Sequence, residues 1–212
     1  YREDRGLLVT AVRPVNAFGP RQAAPTPYGP SKVRKIVPSF VCAALSGEPL
    51  NLYGGGTQVS DSVWVGDVAR VFIAALESAA AGRVPDHPVD VGNPVPYTVL
   101  DMAHAVANEI GDVAFLPIPM RLGEPEGGPL STPDQVAVVV NAVLSANTLL
   151  RPVDVRRVIK QLGTVVSADV TTMQSVNIDP SSFLPLSEGI SRTVAWFREN
   201  RGVTWQYPQA TP

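Results

Sequence analysis

Short apolar runs bounded by Pro or Gly alternate along this chain with stretches whose apolar residues recur every three or four positions. That alternation favours a parallel sheet with helices packed across it. The first run, residues 7–12 (LLVTAV), is apolar without interruption. It suits a strand buried on both faces and ends at Arg13-Pro14. Residues 16–30 are rich in Pro, Gly and small side chains, so no regular element is expected before about Pro30. From Val33, the positions Ile36, Val37, Phe40, Val41, Ala44 and Leu45 predict a helix with Pro38 in its first turn and a stop at Gly47.

The same logic continues downstream. Residues 50–53 and 63–65 read as short strands flanking Gly54-Gly55-Gly56, a tight turn or a close approach of ligand to backbone. Asp67 is placed to cap a helix with Val68, Val71, Phe72, Ala75 and Leu76 turned inward. Residues 89–91 form another brief strand. Thr98 and Asp101 make a capping box for a helix carrying Leu100, Ala103, Val106, Ala107 and Ile110, ended by Gly111. Residues 115–119 look extended and 136–150 are apolar without clear period. Residues 152–162 read as a basic amphipathic helix ended by Gly163, and 187–198 as a last helix with Ile190, Val194 and Phe197 on one side.

Composition narrows the function. A net charge of −2 with scattered basic residues argues against a general nucleic-acid binder, which needs a basic stripe. No apolar run reaches the eighteen or so residues of a membrane helix, and a cytoplasmic setting is expected. Cys42 is the sole cysteine, which rules out an internal disulfide and supports neither a zinc cluster nor a thiol nucleophile. His87 is assigned no role, and His104 lies within a helix without a nearby Cys or second His, so no metal site is expected.

Three stretches in order resemble the second half of an extended short-chain dehydrogenase/reductase of the NAD-dependent sugar-nucleotide epimerase/dehydratase family. RPVNAFGPR (13–21) is similar to the family's R-x-x-N-x-Y-G-P-R, and PLNLYGGGTQVSDSVWVGDV (49–68) to its P-L-x-I-Y-G-x-G-x-Q-x-R-D-x-x-Y-V-x-D-V. Val91-Gly92-Asn93 with residues 98–111 is similar to its N-x-G followed by a capped helix. RLGEP (121–125) and the stretch 186–200 resemble two further family segments. The implied fold is α/β: the C-terminal part of a Rossmann-type enzyme, comprising the last parallel strands and a small α/β substrate-binding subdomain, with the N-terminal dinucleotide-binding half absent. The chain then divides as one incomplete domain. Residues 1–30 are a late Rossmann strand and loop, 31–130 mixed substrate-binding and Rossmann elements, 131–167 an atypical insertion and 168–212 a C-terminal helix region. Without its sheet neighbours, the strand at 7–12 is expected to lie at an exposed edge prone to pairing.

Tyr28 and Lys32 (YGPSK) match the spacing of the family's catalytic tyrosine–lysine pair, but they follow the R-x-x-N motif where the family's pair precedes it. Pro30 also keeps Gly29 out of the helical region, so the two side chains do not share a helix face. A surface loop is expected there, and no catalytic residue is assigned. G-x-x-G-x-x-G, whose backbone N–H groups would hold a pyrophosphate, does not occur in the chain.

Other roles are implied by the resemblance. Pro14 would lie near the nicotinamide of NAD, a cofactor not expected to bind this chain alone. Asn16 would hydrogen-bond the substrate. Leu50, Asn51 and Tyr53 would line the nucleobase, and Arg121 would pair with the diphosphate of a nucleotide-diphosphate sugar. The family often has a second arginine where this chain has Ser60, and Lys32, Arg34 or Lys35 could supply that charge. Asp61 is assigned to turn or strand-edge structure. Two expectations follow: the substrate-binding half of an NAD-dependent epimerase or dehydratase, completed by a separate Rossmann half, or a non-catalytic sugar-nucleotide-binding or assembly module derived from one.

Overall fold

The computed structural model describes residues 2–119 and 168–200. In chain order these form α1 (Arg2–Arg5), β1 (Val12–Pro14), β2 (Asn16–Phe18), α2 (Ile36–Leu45), β3 (Leu50–Tyr53), β4 (Ser62–Trp64), α3 (Val65–Ala80), β5 (Val89–Val91), α4 (Val99–Ile110), β6 (Phe115–Ile118) and α5 (Leu186–Glu199). Tight 3₁₀ turns occupy Gly54–Gly56, Val170–Val176 and Pro180–Ser182. The described strands pair in twos, and each pair is parallel: β1 with β5, β2 with β4, β3 with β6. Arg13 faces Asp90 in register and grips its carboxylate with two hydrogen bonds of 2.6 and 3.0 Å.

Two apolar clusters hold these elements. One joins β3 to helices α2, α4 and α5 through Leu50, Val41, Met102, Val106, Ile190 and Val194. The other packs α3 against β4, β5 and the 170–176 turn through Val63, Val71, Val89, Val91 and Met173. The predicted capping box is present: the Thr98 hydroxyl accepts from the Asp101 N–H, and the Asp101 carboxylate accepts from the Thr98 N–H. Those bonds from Thr98 hold the Asp101 carboxyl below its usual range. Helix α2 stops at Gly47, whose φ of +74° lets its own N–H reach the Ala44 carbonyl and the Glu48 N–H reach that of Ala43. This reversal leads straight into β3.

Several expectations need correction. The apolar run at 7–12 does not form a buried strand: pairing begins at Val12, and Leu7, Leu8 and Val9 are 50%, 54% and 55% exposed. Among the described residues, β5 pairs with β1 at three positions, Val12–Pro14. The supposedly irregular stretch after Val15 contains β2, which exists because its backbone finds β4 46 positions away in register, Asn16 opposite Ser62. Such a partner is invisible to local propensity. Asp67 is not a cap, because α3 starts two residues earlier at Val65. Phe72 and Leu76 point outward, 48% and 71% exposed. The buried stripe runs through Val68, Val71, Ala75 and Ala79. Arg121, the 121–125 loop, the apolar stretch 136–150, the helix expected at 152–162 and the whole 131–167 insertion lie outside the described residues.

Candidate functional site

A cavity of about 500 Å³ opens between the start of α2, the 22–28 loop and strands β2, β3 and β4. That size suits a drug-sized or nucleotide-sized ligand. Strand alternation decides which residues reach it. Along β3, Leu50 and Leu52 are buried in the helical core while Asn51 and Tyr53 take the opposite face and line the cavity. Asn16, the first residue of β2, also lines it. The structure thus brings Asn16, Asn51 and Tyr53 together. It leaves out Leu50, whose side chain is fully buried and whose N–H donates to the Ala114 carbonyl. Pro14, exposed at the end of β1, is not on the wall either.

The electrostatics of the cavity come from Glu48, which lines it and accepts from Tyr28, and from two cations at the approach to α2. Arg34 and Lys35 line it, and Lys32 does not. Lys35 is the residue before the first helical turn; no side chain caps that end and no acidic residue sits in its first turn. Its N–H groups therefore add partial positive charge beside the two cations. Ser60 is buried on the same wall, its hydroxyl 3.2 Å from that of Ser62. Basic charge is thus present at Arg34 and Lys35 rather than at position 60.

Tyr28 sits in a turn, its N–H bonded to the Pro25 carbonyl, and shares no helix with the exposed Lys32. Its hydroxyl donates to Glu48 Oε2 at 2.5 Å. Burial and that bond to a carboxylate push the phenol up to about 12. A tyrosine that must give up its proton near neutral pH needs the reverse. The tyrosinate absorbance lost in a Tyr28→Phe difference titration should accordingly develop near pH 12; a midpoint near 7 would restore the catalytic reading. Sequence spacing gave no sign of the Tyr28–Glu48 contact, which joins a loop to the residue just past a helix stop.

Two aspartates hold the surroundings. Asp61 accepts from the N–H groups of Asn93 and Ala168 at 2.9 and 3.2 Å, while its own carbonyl accepts from Asn16 Nδ2 at 3.2 Å. Asp67 is 3% exposed and accepts from the Leu184 N–H and from Arg70, each at 2.8 Å. His104 packs edge-on to Phe115, and His87 is exposed.

The glycines of the Gly54–Gly56 turn all have positive φ, 57°, 73° and 75°. A Cβ on Gly56 would meet the Leu100 backbone N at 3.1 Å, so the space over its Cα belongs to α4 and not to a pyrophosphate. A strand follows this turn rather than a helix. The described residues therefore do not fit a dinucleotide-phosphate cradle.

Residues 1–92 match the family described as NAD dependent epimerase/dehydratase. That stretch is the first 92 of the chain's 212 residues, and it is similar to that family. Over 201 residues the chain is 26% identical to a dTDP-4-dehydro-6-deoxy-D-allose reductase of Streptomyces bikiniensis, an alignment covering 94% of this chain and 46% of that protein. It is 28% identical over 119 residues to UDP-glucuronic acid decarboxylase 1 of Xenopus tropicalis, covering 55% and 25% of the two chains. Among solved structures it resembles a UDP-N-acetylglucosamine 4-epimerase from Methanobrevibacter ruminantium, in complex with UDP-N-acetylmuramic acid. That match has a TM-score of 0.61 at 21% identity, covering 94% of this chain and 49% of the other. UDP-glucose 4-epimerase from Thermotoga maritima, with UDP-glucose, gives 0.57 at 24%, covering 94% and 48%. The chain thus has the fold of Rossmann-type epimerases and spans less than half the length of these relatives. No described helix is long and apolar enough to cross a membrane.

Proposed function

We propose that this chain forms the nucleotide-sugar-binding side of an NAD-dependent epimerase or dehydratase in a cytoplasmic setting, and that the hydride chemistry requires residues outside it. The observation that carries the reading is the cavity of about 500 Å³, where Asn16, Asn51 and Tyr53 meet beside Arg34 and Lys35. Two cations and an uncapped helix start suit a diphosphate, with the Arg34 guanidinium fork matched to paired oxygens. Asn51 and Tyr53, on the outward face of β3, are placed for the nucleobase, and Asn16 for a sugar hydroxyl. Arg121 would add a further charge to the diphosphate, and Pro14 would approach the nicotinamide.

NAD supplies hydride transfer in the chemistry of the NAD-dependent epimerase/dehydratase family, and the described residues do not fit its phosphate cradle. Residues carrying that cradle, on the same or another polypeptide, would complete the enzyme. The alternative is a non-catalytic sugar-nucleotide-binding or assembly module, in keeping with Tyr28, whose spacing to Lys32 matches the family's pair, being tied to Glu48 instead.

Calorimetry tests the binding reading. UDP-glucose and UDP should both bind, because the charge recognition resides in the diphosphate, and Arg34→Ala should weaken both about tenfold, the scale of one charge-assisted contact. NAD should give no heat. A chain that binds NAD alone, or that ignores UDP and UDP-glucose, would contradict the proposal.

A further inference from the structure

We propose that Asp61 is a positioning residue that fixes the orientation of the Asn16 side chain at the cavity, an inference that rests on reading this cavity as the nucleotide-sugar site. Asn16 and Asp61 meet where β2 and β4 begin: Asn16 pairs in register with Ser62, and its side chain donates to the carbonyl of the residue just before, Asp61. A carbonyl oxygen only accepts, so the NH₂ end of the Asn16 amide faces Asp61. The Asn16 side-chain oxygen is then the end that meets a ligand, and it selects a hydroxyl or N–H donor such as a sugar hydroxyl.

That orientation is only as firm as the Asp61 peptide, and the Asp61 carboxylate is what pins it. One oxygen takes the Asn93 N–H, just past β5, and the other takes the Ala168 N–H, just before the 170–176 turn. Two separate backbone segments therefore converge on one side chain. Gly92 is cut to the same shape: a Cβ there would lie 2.6 Å from Asp61 Oδ2 and 2.6 Å from the Ala168 Cβ. The bare Cα leaves room for the carboxylate to reach both donors. Replacing Asp61 with Asn leaves one acceptor for two N–H donors and sets an NH₂ group against the other, so the peptide loses one of its two ties.

Two measurements test this. In nitrogen-15 NMR, with the Asn16 side-chain amide pair assigned by its loss in Asn16→Ala, Asp61→Asn should move that pair toward the shifts of a free asparagine and speed its hydrogen exchange. In a double-mutant cycle read by calorimetry with UDP-glucose, Asp61→Asn should cost about tenfold in affinity when Asn16 is present and less than about twofold in the Asn16→Ala background. An unchanged Asn16 amide, or losses that simply multiply, would overturn the role, since a purely structural Asp61 lowers stability without coupling to Asn16. Asp61→Glu, which keeps both acceptors, serves if Asp61→Asn does not fold and should restore part of the amide shift. A wild-type chain that does not bind UDP-glucose removes the nucleotide-sugar reading, while the amide spectra still decide whether Asp61 orients Asn16.

Discussion

Ile190→Ala should lower the stability of this chain by about 3–4 kcal/mol, and Ile190→Val by about 1 kcal/mol. Ile190 is fully buried on α5, in the cluster that α5 shares with α2, α4 and β3. Three helices and a strand lean on that position, so the space left by three lost carbons cannot collapse without moving an element. Val194 and Phe197 continue the same stripe, one fully buried and the other 8% exposed. Because β3 presents Leu50 and Leu52 to this core and Asn51 and Tyr53 to the cavity, loosening the core also loosens one wall of the site. Urea melts check the figure; a midpoint within error of wild type would show that α5 is not a structural part of the domain.

The second large effect is expected at Asp67. Its carboxylate is almost wholly buried yet accepts from the Leu184 N–H and from Arg70, which itself reaches the Ser182 hydroxyl and carbonyl. One side chain thus ties α3 to the segment that delivers α5. Asp67→Ala strands a backbone donor and leaves Arg70 without its carboxylate, for a loss of about 2–4 kcal/mol. Asp67→Asn keeps an acceptor for Leu184 and loses the charge, so it should cost roughly half as much, about 1–2 kcal/mol. Because the Arg70 side chain is 46% exposed, its ion pair is screened and the Leu184 bond dominates. Equal losses in the two variants would reverse that ranking.

How much of this was legible in the sequence depends on the range of the interaction responsible. Helix α4 was readable because both halves of its capping box lie within four residues, and α5 because Ile190, Val194 and Phe197 recur on one face. Strand β3 is readable as a short apolar run, but which residues of the nucleobase-lining segment face the cavity is not: Asn51 and Tyr53 line it and Leu50 does not. Strand β2 was missed because three residues of Asn-Ala-Phe have no local reason to be extended until β4 pairs with them. The inward assignment of Phe72 and Leu76 failed because α3 is apolar on two stripes, and periodicity cannot say which one the core takes.

At the site, the family motifs located Asn16, Asn51 and Tyr53, and the structure brings them to one cavity. The placement of Arg34 and Lys35 on its wall, but not Lys32, follows from where α2 begins. Neither the Tyr28–Glu48 bond nor the convergence of Asn93 and Ala168 on Asp61 has a sequence signature, since each depends on loops brought together by tertiary packing. The misplaced tyrosine–lysine spacing shows the same limit from the other side. The residues are present at the right interval, but a turn and a carboxylate partner deny them the chemistry.

The most direct test of the central claim is a map of backbone amide shifts during titration with UDP-glucose. Changes should concentrate at Asn16, residues 34–39, Asn51 and Tyr53, around this cavity, and leave the outward face of α3 at Phe72 and Leu76 unmoved. Saturable changes centred elsewhere, or none up to millimolar ligand, would contradict the assignment of this cavity to a nucleotide sugar.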